Sequence, residues 1–140
     1  MKLKFCYLSG GHHPIAGDIL YPVQLISDGP EAERYQRYLA SPLGSAARDP
    51  QACDRLSDAI ARVKSGELEE YLFDADDVEL SIRRDFIQCD IVVNNDWVGN
   101  PAGRIGLQLW QLALDGWRKF LDMPKSIEST VEIELPEESA

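Results

Sequence analysis

Long apolar runs are missing from these 140 residues: none approaches the roughly 20 that a bilayer-crossing helix needs. The opening Met1-Lys2-Leu3-Lys4-Phe5-Cys6-Tyr7-Leu8-Ser9 turns polar too soon for a secretory signal, so the chain is expected to stay in the cytoplasm. Basic residues are scarce, 14 against 24 acidic, and the formal charge of −10 repels phosphate backbones and anionic lipid surfaces. Direct nucleic-acid binding and membrane association are therefore disfavoured. Only three cysteines occur, Cys6, Cys53 and Cys89, far apart and without a Cys-x-x-Cys pair. An odd, scattered set cannot close an intramolecular disulfide framework and does not match a structural zinc site, so each is expected to be a reduced core residue.

Signatures of chemistry are also absent. There is no Gly-x-Ser-x-Gly elbow, and Gly99-Asn100-Pro101-Ala102-Gly103-Arg104 lacks the Lys-Ser or Lys-Thr ending of a phosphate loop. Asp74, Asp76, Asp77 and Glu79 lack the central glycine and twelfth-position glutamate of a calcium-binding hand. The only histidines, His12 and His13, are adjacent, and neighbouring side chains on an extended chain point opposite ways. They read as a polar turn, with a metal or general-base role beside Asp18 as the alternative. No cofactor is expected.

What is present suffices for one core. Apolar residues make up 44% of the chain, and the length suits a single domain over residues 1–135 followed by a frayed acidic tail, 136–140. Leu3, Phe5 and Tyr7 alternate with polar neighbours, a strand ending at Ser9-Gly10-Gly11, and Tyr21 to Ile26 suits an edge strand. Asp28-Gly29-Pro30 opens a helix that Pro42 should stop. Asp49-Pro50 opens a second, whose stripe of Cys53, Leu56, Ile60 and Val63 runs to Ser65-Gly66. Residues 68–93 read as three strands joined by the tight turns Asp74-Ala75-Asp76-Asp77 and Arg84-Asp85, which permit only antiparallel neighbours.

A closing helix over about 102–122, capped by Asn100 and Pro101, should cover the apolar face of that meander with Ile105, Leu109, Leu112, Trp117, Phe120 and Leu121. Gly106 and Gly116 inside it suggest close approach of another backbone. Val131, Ile133 and Leu135 mark a last strand. The expected class is α+β: an antiparallel β-meander sheet, extended by residues 2–8, packed against a C-terminal helix, with two additional helices.

The feature above background is the placement of acid. Residues 51–100 carry twelve acidic and five basic side chains, and from Glu67 to Glu79 stand Glu67, Glu69, Glu70, Asp74, Asp76, Asp77 and Glu79 with no lysine or arginine. Gathered on a hairpin, within a Debye length of about 8 Å of several neighbours, they raise a local negative potential. A solvated face accounts for this pattern, and so does a docking surface for a basic partner. Tyr71 and Phe73 among the acids, and Trp97 in the following asparagine-rich loop, suit either a partner interface or the edge of the core.

Residues 66–121, with the opening Ser65-Gly66-Glu67-Leu68-Glu69-Glu70-Tyr71, three short strands and a closing helix bearing Trp117, Phe120 and Leu121 before Pro124, resemble small acidic bacterial immunity proteins of polymorphic-toxin and contact-dependent-inhibition systems. The resemblance implies a non-catalytic protein that binds a cognate toxin domain and blocks its active site or substrate entry. Many such toxins are nucleases with cationic grooves, so it also implies a basic partner for Glu67, Glu69, Glu70, Asp74, Asp76, Asp77, Glu79 and Trp97. Two other classes remain open: a small metal-dependent hydrolase using His12, His13 and Asp18, and an acidic secretion-system adaptor or chaperone.

Overall fold

A computed structural model describes residues 1–136, and the tail expected over 136–140 lies outside them except for Pro136. Strands β1 (Lys2–His13) and β2 (Gly17–Ile26) form an N-terminal hairpin. They are followed by α1 (Ala32–Tyr35), a π turn over Gln36–Ala40, α2 (Ser41–Ala46) and α3 (Pro50–Lys64). Next comes the meander of β3 (Glu70–Ala75), β4 (Val78–Arg83), β5 (Ile87–Ile91) and β6 (Arg104–Ile105), then α4 (Leu107–Leu121) and β7 (Thr130–Glu134). Two antiparallel sheets result, ordered β2-β1-β7 and β3-β4-β5-β6. Among the described residues no helix is long and apolar enough to cross a membrane.

The α+β class and the meander hold, and the strand partners differ from expectation. Residues 2–8 do not extend the meander: Leu3 pairs with Ile26 on one side and Ile133 on the other. Arg104 and Ile105 return beside Gln88 and Ile87 and occupy the edge of β5, while β1 is taken up on both sides by β2 and β7. Ile105 is thus a strand residue, and α4 begins only after Gly106, which serves as its N-cap. Asn100 does cap, accepting from Ala102 N–H at 2.9 Å, but it opens a single 3-10 turn over Pro101–Gly103. That turn passes so close to β5 that a Cβ on Gly103 would stand 2.6 Å from the Cys89 carbonyl oxygen.

Pro42 does not end its helix. The π turn widens the coil just ahead of it, where its ring would strike the carbonyl four residues back in regular α geometry. The small residues that follow, read from sequence as a loop, therefore form α2. The α3 expectation is met at both ends: the Asp49 carboxylate accepts from Ala52 N–H at 2.7 Å, and Gly66 follows the helix with φ +86°.

One apolar core joins both sheets. Phe5 and Tyr7 of β1 meet Trp117 and Phe120 of α4, while α2 and α3 lie against β3 and β4, whose Val78, Leu80 and Ile82 face inward. Gly116 is where α4 approaches the first sheet, since a Cβ there would stand 3.2 Å from Ile133 and 3.3 Å from Phe5. Trp110, Trp117, Tyr35 and Tyr38 are the largest fully buried side chains. Such side chains contribute about 1.5–3 kcal/mol each on burial, so the helices hold the meander's outer face in a fixed position relative to both sheets.

Candidate functional site

The β3–β4 hairpin closes on Asp76 and Asp77, and Asp76 takes the left-handed conformation (φ +51°) that aspartate tolerates in tight turns. Register then fixes which side chains share a face. Ala75, Phe73 and Tyr71 stand opposite Val78, Leu80 and Ile82, so they belong to the inner face; Glu70, Leu72 and Asp74 belong to the outer one. Tyr71 reaches the rim and remains exposed, whereas Phe73 is half-buried.

Register also splits the acidic run. Glu70 lies opposite Arg83 and pairs with it at 3.3 Å; Glu67 lies 3.7 Å from Arg62, and exposed Glu69 stands between them. Four residues on, roughly 13 Å along the strand, Asp74 lies opposite Glu79, and Glu79 lies opposite Asp90 of β5. Three carboxylates thus form a row across adjacent strands, with Asp76 and Asp77 at its end. Asp76 is paired with Arg48. Among the described residues no cation stands within ion-pair distance of Asp74, Asp77, Glu79 or Asp90.

Asp90 was not among the residues singled out from sequence. Its signal was the alternation of β5, which places it on the face of Glu79 once the two-residue connection at Arg84-Asp85 is accepted. Its carboxylate accepts from Gly99 N–H at 2.7 Å and from the Gln88 side-chain amide at 3.4 Å, so its orientation is fixed. At the opposite end of the same face the Phe86 ring lies between Arg83 and Arg104, at 5.9 and 5.3 Å. The outer face is therefore dipolar, acidic at the turn end and basic at the other. Trp97 is half-buried on a 3-10 turn that follows β5, with Arg37 over its ring at 4.7 Å.

His12, His13 and Asp18 do not converge. His12 Nδ1 stands 3.0 Å from Asp18 Oδ1 across the hairpin, both exposed, while His13 Nδ1 accepts from the N–H groups of Ile15 and Ala16 and holds its own turn. Among the described residues no group of three or more His, Cys, Asp or Glu side chains is placed to hold a metal ion.

The three cysteines are free and buried. Burial pushes the Cys89 thiol up to about 12, with Asp90 adding to the effect, and pushes the Cys53 thiol up to about 11. An unfolded thiol titrates near 9, so between pH 9 and 11 the folded chain holds more protons and stability falls as pH rises. Each thiol contributes at most about 1.4 kcal/mol per pH unit over that window. Urea unfolding at pH 8, 9 and 10 should therefore show declining stability. In Cys53→Ala the decline should be shallower, and an unchanged slope would place the titration elsewhere.

Comparison of the chain with protein-family models, with curated proteins and with solved structures gives no match.

Proposed function

We propose that this chain is a non-catalytic immunity protein that binds a basic toxin domain and neutralises it through the turn end of the meander's outer face. The observation that supports the reading is the row Asp74–Glu79–Asp90 on three paired strands, extended by Asp77 of the turn, with no cation within ion-pair distance among the described residues. Like charges directly opposite on a sheet destabilise it by roughly 0.2–1 kcal/mol per pair, so the chain carries this arrangement against its own stability. A cationic groove docked on the row removes the repulsion and adds attraction, which favours fast association. The carboxylates need only be held in place, as Asp90 is by Gly99 and Gln88, and no proton or group transfer is asked of them.

The test is genetic and biochemical. The reading expects a neighbouring gene for a larger protein with a basic C-terminal domain that is toxic when produced alone. Co-production of this chain should restore growth, and the two purified proteins should elute as a 1:1 complex. A neighbouring domain that is non-toxic, or toxic but unaffected by this chain, would overturn the proposal.

A further inference from the structure

Resting on that reading, we infer that the partner docks by adding an extended, lysine- or arginine-bearing strand to the open edge of β3. β3 is terminal in its sheet, and its far side opens on a groove of about 470 Å³. One wall of the groove is the continuous stretch 71–76; the other is the corner between α2 and α3, with Ser45, Arg48, Asp49 and Arg55.

The backbone on that edge is available. Residues that close a two-residue hairpin turn exchange both their hydrogen bonds, and bonding alternates from there. Ala75, Phe73 and Tyr71 are therefore bonded to β4, while Leu72 and Asp74 turn N–H and C=O towards the groove. Edge strands are commonly blunted by a bulge, a proline or a lysine. β3 has none of these, and its pairing with β4 runs without a register shift. What guards it is charge of one sign.

Charge also selects the occupant. A second copy of β3 would set Glu70 and Asp74 against their own kind, so self-pairing is opposed. A strand with a basic residue beside Asp74, and an apolar one two positions along beside Leu72, matches the outer face; Leu72 is 65% exposed and otherwise uncovered. On the inner side the added strand meets the Tyr71 rim and Arg55, which carries no ion pair among the described residues and suits a carboxylate or carbonyl acceptor.

The experiment selects random twelve-residue peptides displayed on phage against the full chain, with an unrelated acidic protein as counter-selection. Recovered peptides are expected to share lysine or arginine alternating with apolar residues. A synthetic representative should lose at least tenfold in affinity towards Leu72→Pro, because proline removes an edge N–H that β4 does not use and is tolerated at such positions. The same peptide methylated on alternate backbone nitrogens should lose as much against the unaltered chain, which decides the matter even if Leu72→Pro fails to fold. No enriched peptide, a consensus without basic residues in alternation, or equal binding after methylation would each overturn strand addition. A peptide that ignores Leu72→Pro and methylation yet is lost when Asp74, Asp77, Glu79 and Asp90 are neutralised overturns the strand and leaves the acidic face standing.

Discussion

Trp117→Ala is expected to lower stability by about 4 kcal/mol, a large share of the roughly 5–15 kcal/mol that holds a domain folded. Trp117 is buried where three layers meet. Its ring stands edge-on to Phe5 of β1 at 5.1 Å and stacks on Phe120 at 5.4 Å. Its Nε1–H donates to the Ala47 carbonyl oxygen at 2.6 Å, at the corner between α2 and α3, where the Cys53 thiol also approaches at 3.6 Å. Alanine removes the ring contacts and leaves a cavity that α4 cannot close, because Gly116 already sets it against Ile133. It also removes the main donor of a buried carbonyl. Trp117→Phe separates the two effects: it keeps most of the packing and deletes the hydrogen bond, and should cost about 1–3 kcal/mol. Urea unfolding at pH 7 measures both. A loss below about 1 kcal/mol for the alanine variant would mean that α4 is not held to β1 and to the α2–α3 corner through this residue.

Where sequence was legible, local rules were enough. Asp49-Pro50 and the stripe Cys53, Leu56, Ile60 and Val63 fixed α3, and the alternations from Val78 and from Ile87 fixed β4 and β5; at Gly116 the expected close neighbour is not a backbone but the side chains of Ile133 and Phe5, and Gly106 lies ahead of α4 rather than inside it. Non-local choices were hidden. Nothing in Leu3, Phe5 and Tyr7 states whether they pair with the meander or with β2 and β7. The strand continues past Ser9-Gly10-Gly11 to His13 because a register shift between Ser9 and His12 absorbs the glycines, and a bulge leaves no mark in hydrophobic period. Ile105 kept helical spacing with Leu109 yet belongs to β6.

The site shows the same division. Seven carboxylates contiguous in sequence are not contiguous in space, since four residues of extended chain carry Glu70 away from Asp74, and arginines from other segments claim Glu67, Glu70 and Asp76. Long-range pairing removes three of the seven from the uncompensated set and adds Asp90. Neutralising one set should therefore change association and neutralising the other should not.

Changing Asp74, Asp77, Glu79 and Asp90 together to Asn or Gln should slow association with the proposed basic partner by between roughly 10-fold and 10³-fold at low salt, and flatten its dependence on ionic strength. The formal charge falls only from −10 to −6, so an effect of this size requires that the four act from the contact surface rather than through the general field. Exposed charges more than about 8 Å from the partner are largely screened at physiological salt. Asp90→Asn keeps an oxygen for Gly99 N–H, so the loop after β5 stays anchored. Removing two cross-strand like-charge pairs should raise stability by a few tenths of a kcal/mol while binding weakens, a pairing of signs that a merely damaged fold cannot produce. Glu67→Gln with Glu70→Gln is the matched control. Those carboxylates already face Arg62 and Arg83, and their loss should leave the association rate within about twofold. Stopped-flow mixing across 20–300 mM salt reads both variants beside the unaltered chain; equal rates for the fourfold variant and the unaltered chain would remove the row from recognition, and a larger effect from the control would move the contact surface to the basic end of the sheet.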